Sequence, residues 1–226
     1  MWGHANLEEK RVIQELEEEI NVNKSPIGKL IELSLLYIEP CHNYEMAIEL
    51  IKSILRRDRD NENAKILMAF CCIHYLMSKS DLEYAEKILN EVITTGKKNK
   101  GEAYMLLAEV LQDLGKLKLK EEINLLELSV KFEPEWVSNH YLLSYAYEKM
   151  ENLEKAIEHM NIAIKNLVDE KSNWSIAQYY YESFMTGRVS VRNYLEMDLK
   201  EMIKKLNKKK KKWSFIKRKK RRKPGE

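Results

Sequence analysis

Glycine and proline are scarce in this chain, with seven and four in 226 residues, which leaves little material for the tight turns a many-stranded sheet requires. Cysteine is scarcer still. Three residues, Cys41, Cys71 and Cys72, make an odd number without framework spacing, so no disulfide scaffold is expected. Long apolar runs are also missing: the longest, Ile66 to Met77, has twelve residues and contains His74, short of the roughly 20 that cross a bilayer. The chain opens on an acidic stretch and not on a basic, apolar leader, and with the unpaired cysteines this implies a reducing, cytoplasmic location.

What is present is apolar and charged in helical proportion, 44% and 33%. Such a composition favours an all-α protein with a sizeable core. The net charge of +3 hides an asymmetry. Lys204 to Lys223 holds 14 Lys and Arg and no acid, so residues 1–203 keep 25 basic against 35 acidic groups, a balance of −10. The body is acidic and the tail is basic.

The clearest structural unit is Trp136 to Val168. Its first half carries His140, Leu143, Ser144 and Tyr147 at i, i+3, i+4 and i+7. Its second half carries Leu153, Ala156, Ile157, Met160, Ala163, Ile164 and Leu167 on one stripe, and Glu151-Asn152 forms a short polar turn between them. The spacing predicts two antiparallel helices that approach closely at Ser144 and Ala156. The pattern recurs upstream as Leu30-Leu33-Ser34-Tyr37, Leu67-Phe70-Cys71-His74 and Tyr104-Leu107-Ala108-Leu111, at intervals of 37, 37 and 36. Second helices align on Ala47, Ala85, Glu122 and Ala156, with Ile51, Leu89, Leu126 and Met160 one turn on. Four such hairpins make a solenoid.

Leu143, Ser144, Tyr147, Ala156 and Ala163, with Pro134 closing the preceding unit, resemble the tetratricopeptide repeat. The fourth unit matches well, while the others are two or three residues longer than the usual 34 and Glu122 stands where the family has Ala. The resemblance covers about residues 26–168. It implies an all-α, tetratricopeptide-like, right-handed solenoid of antiparallel helix pairs with capping helices. The organisation expected is an acidic capping helix at 1–24, four hairpins at 25–168, a degenerate fifth hairpin or cap at 169–206, and a disordered basic tail at 207–226.

Chemistry is harder to find. Cys71, Cys72 and His74, with Cys41-His42 one unit earlier, are metal-ligating types, but adjacent helical cysteines point about 100° apart and lack the geometry of a knuckle. Packing is the better account, and no metal or cofactor is expected. No nucleophile sits in a turn beside a base, and the glycines flanking Lys97 to Lys100 follow no strand, so neither an enzyme nor a phosphate loop is expected.

In the family it resembles, the first helices line a concave groove. The corresponding positions here are Ile31 and Leu35, Met68 and Cys72, Met105 and Glu109, Tyr141 and Tyr145. One turn on come Ile38, Tyr75, Gln112, Asp113, Glu148 and Lys149. Family members that grip acidic chaperone tails use Lys and Asn at such places, which this chain does not have. The leading expectation is therefore a protein-binding adaptor holding a partner peptide or helix, with Tyr141 and Tyr145 as anchors. A second is an inhibitor that neutralises a basic toxin or nuclease through the acidic body. The tail carries Lys208, Lys209, Lys210, Lys211, Lys212, Trp213, Phe215, Lys217, Arg218, Lys219, Lys220, Arg221 and Arg222, a set suited to nucleic acid or an anionic membrane. An import signal or a solubilising extension would have the same composition.

Overall fold

The structure, a computed structural model, describes residues 7–38, 41–167 and 191–221, and in the last stretch the side chains of 193–212. Every regular element among them is helical. A first helix, α1 (Leu7–Glu19), precedes four antiparallel pairs: α2 (Ile27–Ile38) with α3 (Tyr44–Arg57), α4 (Glu62–Cys71) with α5 (Lys79–Thr95), α6 (Lys100–Asp113) with α7 (Leu119–Phe132), and α8 (Val137–Lys149) with α9 (Leu153–Asn166). A long helix, α10 (Val191–Arg221), closes the described chain. Each element packs chiefly on its neighbours in sequence, as a repeat stack does.

Local chemistry sets the helix starts. Asn43, Asn61, Ser78 and Asn152 accept the backbone N–H of Met46, Ala64, Asp81 and Lys155, which satisfies one orphan donor at the head of α3, α4, α5 and α9. Within each hairpin the chain reverses through one residue in the left-handed region: His42, Met77, Gly115 and Glu151, at φ 51°, 54°, 66° and 58°. Only the third is glycine, so three of the four turns hold a side chain where its Cβ crowds the backbone. The end of α4 loosens into a π turn, Cys72–Leu76, from which the Met77 N–H reaches back to the Cys72 carbonyl at 2.9 Å.

The repeated stripes form one core. Leu30, Leu33, Ser34 and Tyr37 are buried, as are Leu67, Phe70 and Cys71, then Leu107 and Ala108, then His140, Leu143, Ser144 and Tyr147. From the second helices Ala47, Ile51 and Ile54, Ala85, Leu89 and Val92, Leu126 and Ser129, and Ala156, Met160 and Ala163 meet them. Small residues mark the closest approaches. Ser129 Oγ donates to the Gly101 carbonyl at 2.8 Å, and a Cβ at Gly101 would stand 1.1 Å from Glu133 Oε2. α1 caps the stack through Ile13 and Leu16, and the Tyr37 hydroxyl donates to Glu17.

Consecutive hairpins are also clipped together. The Glu62 carboxylate, at the head of α4, accepts backbone N–H groups from Lys97, Lys98 and Asn99 in the loop before α6, at 2.7, 3.0 and 3.2 Å. Burial pushes the Glu62 carboxyl up, but the three hydrogen bonds outweigh it and hold the group below the usual carboxylate range.

Within the stretch from residue 207 where the sequence suggests disorder, α10 continues as helix to Arg221. Its first half is anchored, with Leu195 and Met202 each 2% exposed. Once that half is docked, extension adds a hydrogen bond per residue without a new nucleus. The lysines that would repel one another find carboxylates on the body: Lys205 Nζ lies 2.7 Å from Glu148, Lys209 3.3 Å from Glu151 and Lys210 4.0 Å from Glu154. The helix expected over Trp174 to Met185 lies outside the described residues, as does Arg222.

Candidate functional site

The groove residues read from the sequence separate into three groups. Met105, Glu109 and Asp113 come together. They rise from three successive turns of α6 and line a cavity of about 250 Å3 between α6, α7 and α8. Met105 and Ala108 form its floor with Leu126 of α7 and Leu142 of α8, while Glu109, Gln112, Asp113 and Glu122 carry its polar rim. The cavity exists because α8 packs on α7 and α9 and leaves the neighbouring face of α6 uncovered.

Glu109 is the unusual group. Its side chain is 26% exposed and lines this cavity. Burial, with the Asp113 charge beside it, pushes its pKa up to about 7. His74 Nε2 stands 3.6 Å away, but burial pulls that imidazole down to about 4, so at neutral pH it is uncharged and supplies no counter-ion. Asp113 is likewise raised by burial. Glu122 already has a cation, Lys149 Nζ at 3.3 Å. An apolar floor under carboxylates that lack a full counter-charge suits a long side chain with a methylene stem and a cationic head.

Tyr141, Tyr145 and Glu148 behave differently, because α10 lies over them. The Tyr145 hydroxyl donates to Asp198, the Tyr141 ring faces Tyr194 at 6.4 Å between centroids, and Glu148 pairs with Lys205. Burial first, then the Asp198 contact, pushes the Tyr145 hydroxyl far above its ordinary value. The expected anchors are therefore in contact with the chain's own helix and only partly exposed, which the stripe pattern alone does not show.

The remaining two stand apart. Met68 is 4% exposed and turns toward α3 and α5, away from the α6 cavity. Tyr75 is exposed at the end of the π turn, stacked on Tyr44 at 4.9 Å and donating to Glu45 at 3.2 Å.

On the basic side, Lys208 to Lys212 lie on α10, with Lys209 and Lys210 held by Glu151 and Glu154. Trp213, Phe215, Lys217, Arg218, Lys219, Lys220 and Arg221 lie further along the same helix, their side chains outside the described set. Sequence reasoning missed Glu122, Leu126 and Leu142 as cavity residues. The first two belong to a second-helix stripe that reads as core, and Leu142 lies outside the periodic stripe of its helix, between Tyr141 and Tyr145.

Among the described residues no group of three His, Cys, Asp or Glu side chains is placed to hold a metal. Cys71 and Cys72 are buried, and burial pushes both thiols up to about 12. No described helix is long and apolar enough to cross a membrane.

No family model matches the chain, and no curated protein matches it in sequence. Solved structures do match in shape. A tetratricopeptide protein of Thermus thermophilus superposes with a TM-score of 0.58 at 14% identity, over 70% of this chain and 83% of that one. A crystal structure of MamA gives 0.50 at 16% identity over 70% and 88%, and an RS-1 MamA ArsTM double mutant gives 0.50 at 16% over 73% and 88%. At such identities the likeness establishes the fold: an all-α, tetratricopeptide-like repeat solenoid.

Proposed function

We propose that this tetratricopeptide-like solenoid is a non-enzymatic adaptor that binds a partner protein, and that the cavity between α6 and α8 takes a lysine or arginine side chain of that partner. The observation that carries the reading is the juxtaposition of Met105, Ala108, Leu126 and Leu142 with Glu109 and Asp113 in one opening of side-chain size. Binding places the stem of the guest on apolar surface and its charge against carboxylates of which one, Glu109, is already partly desolvated in the free protein. The solenoid fold supports this reading, since stacked hairpins present extended surfaces to other chains.

A cation entering the cavity stabilises the ionised form of Glu109, a group poised near pH 7. Partner binding at that pH therefore releases a proton. The test is co-purification with the full chain, comparing the native protein with a variant carrying Glu109→Lys and Asp113→Lys. The partner should be lost from the variant while helicity and melting temperature are kept. Calorimetry of the recovered complex in buffers of different ionisation enthalpy should show proton release. A partner retained by the variant, or bound without proton exchange, would remove this cavity from the function.

A further inference from the structure

A second and larger cavity, of about 620 Å3, opens between α3 and α5 with α4 beneath it. Its floor is apolar. Met68, Cys72 and Leu76 follow one another along α4 and its π turn, and Leu55 of α3 borders them. Its rim is basic: Lys52 and Arg56 stand one turn apart on α3, and Arg59 lies in the turn that follows.

The charges on that rim are unevenly met. Lys52 shares its charge with Glu49 at 3.1 Å, whereas among the described residues Arg56 and Arg59 have no carboxylate at ion-pair distance. Asp81, the acid on the opposite wall, is hydrogen-bonded by the Ser78 hydroxyl at the head of its own helix. Met68 and Cys72 are 4% and 1% exposed, so the apolar surface that meets water here is mainly that of Leu76 and Tyr84, and the two guanidinium groups beside it suit carboxylates.

Size and spacing narrow the occupant. Lys52 and Arg56 stand about one helical turn of 5.4 Å apart on α3 and Arg59 follows in the next turn, so the cations form a row along the trough. A peptide segment carrying several carboxylates reaches all of them, and its apolar side chains cover the floor. The chain already binds a charged amphipathic helix in this way with the opposite sign. α10 buries Leu195 and Met202 on the body while its lysines meet Glu148, Glu151 and Glu154. The acidic α1 of a second copy is not available for the trough, because Ile13 and Leu16 are buried and Glu17 is held by Tyr37.

We propose that the trough between α3 and α5 is a docking site for an acidic amphipathic segment of a partner protein, its apolar side chains on Met68, Cys72 and Leu76 and its carboxylates on Arg56 and Arg59. This site is separate from the α6 cavity and opposite to it in charge.

The test begins by panning a random dodecapeptide library on the full chain and resynthesising the enriched peptides. Expected are sequences that combine Leu, Ile, Phe or Met with Asp or Glu and that shift the methyl resonance of Met68, assigned through Met68→Leu. Charge reversal with Arg56→Glu and Arg59→Glu should weaken them at least about tenfold, two charge-assisted contacts being lost. The Glu109→Lys, Asp113→Lys variant should bind them unchanged, so failure of one site is distinguishable from failure of the other. Both arginines lie at the surface, and circular dichroism checks that the reversal leaves the helices intact. Should it not, the neutral pair Arg56→Gln and Arg59→Gln takes its place. Enriched peptides that are basic, affinities that survive charge reversal, or a library that yields no binder would each overturn the proposal. Decanoate moving the Met68 signal where no peptide does would assign the trough to a fatty acid instead.

Discussion

The fourth hairpin and the second share one repeat pattern and present opposite surfaces. On the fourth, the acids Glu148, Glu151 and Glu154 each face a lysine of α10, and Tyr141 and Tyr145 lie beneath the same helix. On the second, Met68, Cys72 and Leu76 line an open trough, and the arginines beside them have no acid among the described residues. The chain satisfies its charge and apolar surface internally where it owns a helix of the right sign. At the second, no described helix covers the surface. In a solenoid this contrast is informative, because the scaffold is the same at both places and only the cover differs.

The strongest way to break the contrast is to remove the cover. Leu195→Ala with Met202→Ala deletes the apolar seam of α10, at about 2–5 kcal/mol per buried side chain. Amide hydrogen exchange should then show α10 opening on its own while α8 and α9 stay protected, making the fourth hairpin as open as the second. Loss of protection throughout the chain would instead show that α10 belongs to the cooperative core.

A smaller effect concerns what the two hairpins have in common. Met77 and Glu151 both turn the chain at positive φ. Replacing either with glycine should stabilise by about 1 kcal/mol, the cost of a Cβ in that region less the entropy glycine loses on folding. Denaturant midpoints measure it. A destabilised Met77→Gly beside a stabilised Glu151→Gly would mean that the Met77 side chain holds the π turn in place.

The smallest effect sharpens the comparison by pH. In the fourth hairpin His140 Nε2–H donates to the Pro134 carbonyl at 2.8 Å, and its Nδ1 faces His159 Nδ1 at 3.0 Å, which requires one of the two to be a bare acceptor. Burial lowers both pKa values, and for His159 the neighbouring His140 adds to it. Glu158 and Glu127 act against the shift on His159, and Lys155 with it. Groups depressed in the folded state stabilise it above their unfolded pKa, near 6.5, and this contribution is lost as pH falls through the folded values. The contribution of this pair should thus begin to decline as pH falls below about 6.5 and go on declining toward the lowered folded values. His159→Gln should flatten the part owed to this pair. His74, also depressed, declines in the same direction, whereas Glu109, raised to about 7, contributes below its unfolded value and loses that contribution as pH rises. An unchanged pH profile in His159→Gln would show that the pair does not titrate in the folded range.

The site was partly legible. Met105, Glu109 and Asp113 could be placed on one face of α6 from spacing alone, because a helix fixes which residues share a side. That Leu126 and Leu142 would leave a space beside them could not be read, since a cavity depends on how far α8 stands from α6. Met68 and Cys72 occupy the same repeat positions as Tyr141 and Tyr145, yet the former turn to α3 and α5 and the latter to α10.

By itself the sequence determined the four helix pairs between Ile27 and Asn166 and the order in which they pair. Period, caps such as Asn43 and Asn152, and breakers between units are local signals, and hairpins with short turns can hardly pack otherwise. It also determined the division into an acidic body and a basic tail. Only the tertiary structure decided what became of that tail. Whether the basic residues as far as Arg221 repel one another or extend as a helix depends on Asp198 reaching Tyr145, and on Lys205 and Lys209 reaching Glu148 and Glu151, across 53 to 58 residues of chain. Contacts so distant in sequence leave no periodic trace, because they are fixed by the packing of α10 on the fourth hairpin and not by any pattern within either.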